Sequence, residues 1–282
     1  MIDRNTNLKF TELNPKQPEF VLITSDYTKK YLMKYDLAHF YQFTAEANHM
    51  GVIPDASVDI LFWKKDGRVK SKIAGTLLEK GAAALEEKCE YFGVRFMPGY
   101  NPVSSSIKLS ELVNHEMVFE DLLVSDDAKK YLFENLYYSE SFEEKIFAFM
   151  KYYIKQYENQ MDDKYSLRSA LIKEIIRSNG DLKLSALSIF TGYSDRYLNR
   201  KIHEEFGMNP KKLIRFIRFQ KAVSNLIASM DCINCTNTAL EAGYFDQSHL
   251  IKEFKLLSGL TPVNYIDNLL GNSYVKKLHI LY

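Results

Sequence analysis

The sequence is poor in the residues that mark disulfide-stabilised and membrane proteins. It has three cysteines, one tryptophan and seven prolines among 282 residues. So few cysteines exclude a secreted scaffold held together by disulfides. No apolar run approaches the roughly 18–20 residues that span a bilayer, and the start MIDRNTNLKF lacks the apolar core of a signal peptide. We therefore expect a cytoplasmic protein without a membrane segment.

Neither sign of charge dominates the chain, but its two parts differ. Lys and Arg number 37 against 36 Asp and Glu, a net charge of +1. Residues 161–282 hold 17 basic and 12 acidic residues, so residues 1–160 hold 20 and 24. This split indicates that only the C-terminal part meets a polyanion. The length also favours two domains over one.

Residues 18–100 contain short aromatic or β-branched runs separated by turn-forming residues. The runs are residues 19–23, 57–63, 71–78 and 90–97. Turn sequences such as Lys65-Asp66-Gly67 lie between them, and no 12-residue helical pattern intervenes. Several such runs predict an antiparallel barrel or sandwich of cupin-like shape.

After Pro102 the apolar spacing becomes helical. Ser141 and Glu144 form a capping-box pattern at the start of one helix. The polar stretch 158–164 is typical of a linker. We therefore predict an α+β chain with a β-rich sensing or dimerisation domain and trailing helices over residues 1–160. An all-α domain over residues 164–270 follows.

The C-terminal part contains an internal repeat. GYSDRYLNRKIHEEFGMNP begins at Gly192, and GYFDQSHLIKEFKLLSGLTP begins at Gly243 with one extra residue. Each copy predicts a helix, a turn at a left-handed glycine, a capped second helix, and then a cap followed by proline. This is a helix-turn-helix unit, present twice.

The segment between the copies, Pro210–Met230, predicts one helix of about 30 Å. One turn of B-DNA is about 34 Å long, so a rigid spacer of this size suits two recognition helices in successive major grooves. Five basic residues lie along this helix, and they are interpreted either as phosphate contacts or as a solvated face, with Arg218 in a buried ion pair. They are Lys211, Lys212, Arg215, Arg218 and Lys221.

Residues from about Leu182 to Ile266 resemble the DNA-binding domain of the AraC/XylS family of bacterial transcription regulators. The match covers both units, the RFQKA of the connecting helix, and the segment GYFDQSHLIKEFKLLSGLTPVNY. The resemblance implies binding to double-stranded DNA, commonly with activation through RNA polymerase, in the cytoplasm at the nucleoid. It also implies that outward residues of each recognition helix read base edges.

Carried over by position, the base-reading residues have side chains suited to that role. Arg and Lys suit guanine, Asn and Gln suit adenine, and Ile suits the thymine methyl group. The residues are Arg196, Asn199 and Arg200 in the first unit, and Gln247, Ser248, Ile251, Lys252 and Lys255 in the second. We expect Tyr197, Leu198, Ile202, Leu250 and Phe254 to be buried instead.

The N-terminal part resembles, more loosely, the β-rich domain of some regulators in this family, which implies a sensing or dimerisation module. It carries no enzyme or metal signature: His39, His49 and His115 lie far apart, and there is no glycine-rich phosphate loop. We therefore expect no enzyme activity, no metal and no cofactor.

Three interpretations of the N-terminal domain stay open. It binds a small-molecule effector, or it only forms a homodimer or binds a protein partner, or it is an enzyme tethered to DNA, which a cluster of titratable residues in its pocket would indicate. Cys232 and Cys235 form a single C-x-x-C, which is interpreted as two ordinary thiols or as a redox switch.

Overall fold

A computed structural model describes residues 15–32, 34–103, 107–123, 125–159, 167–178 and 180–281. Strands dominate before residue 160, and helices dominate after residue 166. The α+β fold class is thus confirmed. The linker predicted at 158–164 lies largely outside the described residues.

The N-terminal part consists of short strands followed by two longer helices. Its elements are α1 (Glu19–Leu22), β1 (Thr24–Tyr31), β2 (Leu37–Ala45), β3 (His49–Val52), β4 (Asp59–Lys65), β5 (Arg68–Ala74), β6 (Gly81–Ala84), β7 (Glu90–Phe96), α2 (Leu109–Leu112), β8 (Glu116–Met117), a 3-10 helix (Phe119–Leu122), α3 (Asp126–Tyr138) and α4 (Phe142–Asn159).

The C-terminal part is a series of helices followed by one strand. Its elements are α5 (Leu167–Arg177), α6 (Leu184–Thr191), α7 (Asp195–Phe206), α8 (Pro210–Ala228), α9 (Cys235–Glu241), α10 (Gln247–Ser258), α11 (Pro262–Gly271), α12 (Tyr274–Lys277) and β9 (Leu278–Leu281). Among the residues that the structure describes, no helix has the length and apolar character needed to cross a bilayer.

Seven strands form one sheet in the order β8-β5-β4-β7-β2-β1-β9, and β3 pairs with β6 in a second sheet. The pairs within the large sheet are antiparallel except β1–β9, which is parallel. In sequence, β9 lies beyond the predicted helical domain. This strand therefore joins a sheet that the N-terminal half builds.

Side chains on the two faces of β2 pack against different helices. Tyr41 and Phe43 alternate with Phe40, so they point to opposite faces of the sheet. Tyr41 packs on Phe20 of α1, with ring centroids 5.7 Å apart. Phe40 packs on Phe149 of α4 at 5.9 Å. The long helices thus cover one face of the large sheet, and α1 covers part of the other.

Three of the four predicted strand runs are confirmed, as β4, β5 and β7. The prediction of a strand at residues 19–23 is wrong, because Glu19–Leu22 form a single helical turn after Pro18. Phe20 and Val21 are buried in that turn. A short apolar run cannot distinguish a buried helical turn from a strand. The capping box of α4 is confirmed, since Ser141 and Glu144 bond each other's backbone N–H groups.

The two halves pack directly on each other. Gly207, at the end of α7, has φ +65°, and a Cβ there would lie 2.8 Å from the Cα of Ser110 in α2. Glycine thus allows both the left-handed turn and the close approach of α7 to the N-terminal half.

Candidate nucleic-acid interface and cavity

Both predicted recognition helices are capped as their sequences indicate. The Ser194 side chain accepts from the backbone N–H of Tyr197 at the start of α7. Asp246 does the same for His249 at the start of α10, at 2.7 Å. Capping satisfies N–H groups that the first helical turn leaves unpaired. Each recognition helix therefore begins at a defined residue.

Left-handed glycines produce the turn before each of these helices. Gly192 has φ +73° directly after α6, and Gly243 has φ +77° shortly after α9. The first cap follows Gly192 after two residues, whereas Asp246 follows Gly243 after three, because Phe245 is inserted. The Phe245 side chain is 88% exposed. The two units thus share their design but differ at the turn.

The predicted base-reading residues lie on the outer faces of α7 and α10. In α7, Arg196, Asn199 and Arg200 are exposed. In α10, Ile251 is half-buried, and the others, Gln247, Ser248, Lys252 and Lys255, are exposed. The structure brings these residues together in two sets, one for each recognition helix.

The opposite faces of both helices are buried, as the repeat predicts. Leu198 and Ile202 of α7, and Leu250 and Phe254 of α10, have no exposed surface. Tyr197 departs from the expectation, since it is half-buried and stacks on Tyr193 with ring centroids 4.6 Å apart.

Two of the predicted base-reading residues, Arg200 and Gln247, have weak intramolecular partners. The Arg200 Nε lies 3.8 Å from Oε1 of Glu204, and both side chains are largely exposed. Such a surface pair contributes little to stability. Gln247 accepts a hydrogen bond from Thr236 at 3.1 Å. Breaking either contact therefore costs little free energy.

Two basic residues of the connecting helix α8 bind other parts of the C-terminal half. The sequence alone does not determine whether they contact phosphates or protein groups. Arg215 pairs with Glu253 of α10, with Nε and Oε1 2.6 Å apart. Arg218 donates to the Gly180 carbonyl at 2.8 Å, and its guanidinium carbon lies 5.7 Å from the Tyr244 ring centroid. Arg218 thus donates to a backbone carbonyl instead of forming the buried ion pair that the sequence suggested. Lys211, by contrast, is exposed.

A cavity of about 300 Å³ lies between the two sheets and opens to solvent beside exposed Ala84, Asn114 and Glu116. Leu61 and Ala74 of the large sheet line one side, and Met50 of the small sheet lines the other. Ser57 also lines it, and its buried Oγ has no hydrogen-bond partner among the described residues. A buried hydroxyl without a partner is rare, since it loses its hydrogen bonds to water. This cavity therefore offers an unused polar group.

A buried ion cluster forms one wall of the cavity. Arg95 pairs with Asp59, at 2.5 Å between Nη2 and Oδ2, and with Asp55 at 3.4 Å. Burial raises the pKa of the Asp55 carboxyl, which Arg95 partly offsets. Tyr41 donates to Asp59 at 2.9 Å. The cluster fixes two carboxylates at the cavity, where they can accept hydrogen bonds from a ligand.

The sequence alone assigns no effector-binding residue, and of its three separate histidines His115 lines the cavity. The signal present in the sequence is the spacing of Asp55, Ser57 and Asp59, at alternate positions before an apolar strand. Asp55 and Ser57 precede β4, so strand spacing alone does not place them beside Asp59. Trp63 and Tyr91 pack on each other with ring centroids 5.4 Å apart, and they are not among the residues that line the cavity.

The three cysteines have free thiols. Cys232 is exposed and Cys235 is half-buried, and burial raises the pKa of the Cys235 thiol. Since thiolates are the reactive form, this shift makes Cys235 less reactive.

Two capped helices with exposed polar faces, each in a helix-turn-helix unit and joined by one helix, define a DNA-binding transcription regulator. Residues 187–268 match the model of a helix-turn-helix domain family. The chain belongs to the AraC/XylS family of transcription regulators.

Solved structures of similar proteins cover either the C-terminal part or most of the chain. The C-terminal domain of AraT, a response regulator from Geobacillus stearothermophilus, is 30% identical, over 32% of this chain and 73% of that one, with a TM-score of 0.30. The C-terminal domain of the response regulator yesN from Fusobacterium nucleatum is 27% identical, over 36% of this chain and 99% of that one, with a TM-score of 0.33. Wild-type ToxT from Vibrio cholerae, bound to an unsaturated fatty acid, is 14% identical, over 88% and 95%, with a TM-score of 0.40. No curated protein sequence matches the chain.

Proposed function

We propose that this regulator inserts α7 and α10 into adjacent major grooves of double-stranded DNA in the cytoplasm. The observation that carries the proposal is the pair of capped helices with exposed polar faces. The 19 residues of α8 give a spacer of about 28 Å, close to one turn of B-DNA. The reading residues proposed are Arg196, Asn199, Arg200, Gln247, Ser248, Ile251, Lys252 and Lys255.

Selection of genomic fragments by the purified chain tests this proposal. We expect the wild type to enrich a site with two elements about 10 base pairs apart. Arg200→Ala and Lys252→Ala are each expected to cost about 1–3 kcal/mol of specific binding. Lys201→Ala is the matched control, because Lys201 lies on α7 but is half-buried and pairs with Glu205 at 2.7 Å. Equal losses on every DNA sequence would show that Arg200 and Lys252 contact phosphates only.

We further propose that the N-terminal half, assigned to residues 1–160, senses a small effector in the cavity between the sheets. Its volume of about 300 Å³ reaches the range of small-molecule sites. The partnerless Ser57 hydroxyl and the carboxylates of Asp55 and Asp59 support a ligand with hydrogen-bond donors. The DNA-binding half is assigned to residues 164–270.

A thermal-shift screen of metabolites tests the sensing role. A ligand that binds the folded state raises the melting temperature, and we expect one to do so for the wild type. The Ala74→Leu variant fills the cavity and should lose the shift, whereas Gly271→Ala, far along α11 in open space, should keep it. A screen without any shift would favour the alternative, an N-terminal half that only dimerises or binds a protein.

Exposed aromatic and apolar side chains support the proposed partners. Tyr138 of α3 is 77% exposed and Phe147 of α4 is 69% exposed, and we assign this face to a homodimer contact. Ile189 and Phe190 of α6 are exposed beside the first recognition helix, and we assign them to RNA polymerase during activation. Phe147→Glu should then shift a dimer to monomer in sedimentation, and Ile189→Glu should reduce activated transcription without loss of DNA binding.

A further inference from the structure

A segment that follows the second helix-turn-helix unit is built into the N-terminal sheet. β9 pairs in parallel with β1, with Tyr27 opposite Leu278 and Lys30 opposite Leu281. One residue before the strand, Lys277 donates to the Leu22 carbonyl at 3.2 Å. We call residues Tyr274–Leu281, which are α12 and β9, the C-terminal strap. The strap follows directly after α11 of the second unit.

A second contact joins the same two regions beside the strap. The Tyr265 hydroxyl of α11 donates to Glu19 Oε1 of α1 at 2.8 Å. The Tyr265 ring also packs against Phe254 of α10, with ring centroids 5.2 Å apart. A single buried tyrosine of α11 therefore touches both the N-terminal half and a recognition helix.

Both contacts lead back to the cavity. Phe20, the neighbour of Glu19, lines the cavity. Tyr27 of β1 stacks on Tyr41 at 5.6 Å, and Tyr41 donates to the cavity carboxylate of Asp59. Packed side chains of this kind give a change at the cavity a physical route to α11 and α10.

We propose that the C-terminal strap, together with the Glu19–Tyr265 contact, is a latch that sets the position of the second helix-turn-helix unit and couples it to the effector cavity. This coupling presupposes the sensing function proposed above. The first unit has its own contact with the N-terminal half, through Gly207 and Ser110. The latch thus acts on one unit and leaves the other in place.

The strap is suited to this role because its ladder is short and lies at the edge of the sheet. β9 has four residues, and β1 is its single partner strand among the described residues. A short edge ladder opens at a lower free energy than the central strands of a sheet. Release of β9 therefore loosens the attachment of α12 and α11 to the N-terminal half without opening the rest of the sheet.

Hydrogen exchange of the full chain, with and without the DNA fragment that it enriches, tests the latch. The variants are a truncation after Lys277, Tyr265→Phe, and the control His279→Ala, whose side chain is exposed on β9. In the free chain, truncation and Tyr265→Phe should speed exchange in α10 and α11 but not in α7. The control should not.

DNA binding supplies the second readout. Truncation should change the dissociation constant of the enriched fragment at least about fivefold, the scale of a typical coupling between sites. DNA should also alter exchange in Thr24–Tyr31 of the wild type but not of the truncated chain. Tyr265→Phe, which keeps the buried ring, should move the same quantities by a smaller amount.

Unchanged exchange in α11 after truncation and Tyr265→Phe would overturn the latch, as would wild-type DNA affinity in both variants. If the wild type enriches no fragment, the DNA-binding sites proposed above have failed. The exchange of α11 in the free chain still decides for or against the latch in that case.

Discussion

Gln220, in the middle of α8, binds Pro54 of the N-terminal half. Its Nε2 donates to the Pro54 carbonyl at 3.1 Å, and its Oε1 accepts from the backbone N–H of Lys16 at 2.8 Å. Gln220 is completely buried. One side chain of the connecting helix therefore satisfies two backbone groups of the other half.

Replacing Gln220 by leucine should lower the free energy of unfolding. The Pro54 carbonyl and the Lys16 N–H would lose their partners in a buried place, which costs about 1–3 kcal/mol per group. Urea denaturation measures this loss. The same change at exposed Gln247 should cost less than about 0.5 kcal/mol, and equal losses at both positions would contradict the role of Gln220.

Gly93→Ala should destabilise the large sheet. A Cβ at Gly93 would lie 2.1 Å from Cζ of the buried Tyr41 ring, which faces it across the β2–β7 pair. The strain of such overpacking is about 1–3 kcal/mol or more, and the melting temperature should fall. Gly271→Ala is the control: it lies in α11 with open space around it, so alanine should stabilise the helix slightly. A Gly93→Ala melting temperature equal to wild type would show that the ring moves aside freely.

Lys29→Met should stabilise the protein at neutral pH. Lys29 is buried in β1, and burial lowers the pKa of its ammonium well below the ordinary value, helped by the charges of Lys16 and Arg95. The folded state thus bears the cost of a buried charge below that lowered pKa. As the pH rises through it towards 10.5, the folded state loses the proton first and wild-type stability increases.

The advantage of Lys29→Met should therefore be largest near neutral pH and should shrink as the pH approaches the ordinary pKa of lysine. Urea denaturation of both proteins across this range measures the difference. Lys30→Met, at the half-buried neighbour, is the control for the loss of a lysine side chain from β1. A wild type more stable than Lys29→Met at neutral pH would mean that the ammonium makes a favourable contact.

Glu19→Gln should remove a pH dependence of stability near neutrality. Burial raises the pKa of the Glu19 carboxyl to about 7, against opposing effects of its hydrogen bonds, Lys80 and Arg95. Above that pH the folded state carries a costly charge. As the pH falls from about 7 to 4.5, the folded state takes up the proton before the unfolded chain does, so wild-type stability rises.

The glutamine side chain of this variant still offers an oxygen to Tyr265 but does not titrate. Relative to wild type, Glu19→Gln should be more stable at about pH 8 and should lose this advantage by about pH 5. Glu143→Gln, at an exposed residue in the first turn of α4, is the control for the loss of a carboxylate. If the free energy of unfolding of wild type and of Glu19→Gln changed with pH in the same way, Glu19 would not be the group responsible.

The C-terminal helices could be predicted because their signals are local. Gly192 and Ser194 specify a turn and a cap within three residues, and the repeat at Gly243 and Asp246 states the same pattern again. The outward faces of α7 and α10 follow from helical spacing alone. The eight reading residues follow from that spacing and the family resemblance, and their contact with DNA stays a prediction.

The remaining features depend on residues far apart in sequence. β1 is polar for most of its length, so its sequence lacks the apolar pattern that predicts a strand. It is a strand because β2 and β9 supply its backbone hydrogen bonds. The four residues of β9 are too few to give a periodic signal. The cavity likewise requires Met50, Ser57 and Ala74 to meet, and their meeting depends on the whole sheet.

The position of β9 at the sheet edge has a consequence for the order of events during synthesis. During synthesis, β1 has no outer neighbour until residues 278–281 have left the ribosome. These residues are made after the helices of the DNA-binding half. Topologically, that half is an insertion within the sheet. The large sheet is therefore complete only after the helices of the DNA-binding half have been synthesised. A chain released before β9 lacks the edge strand.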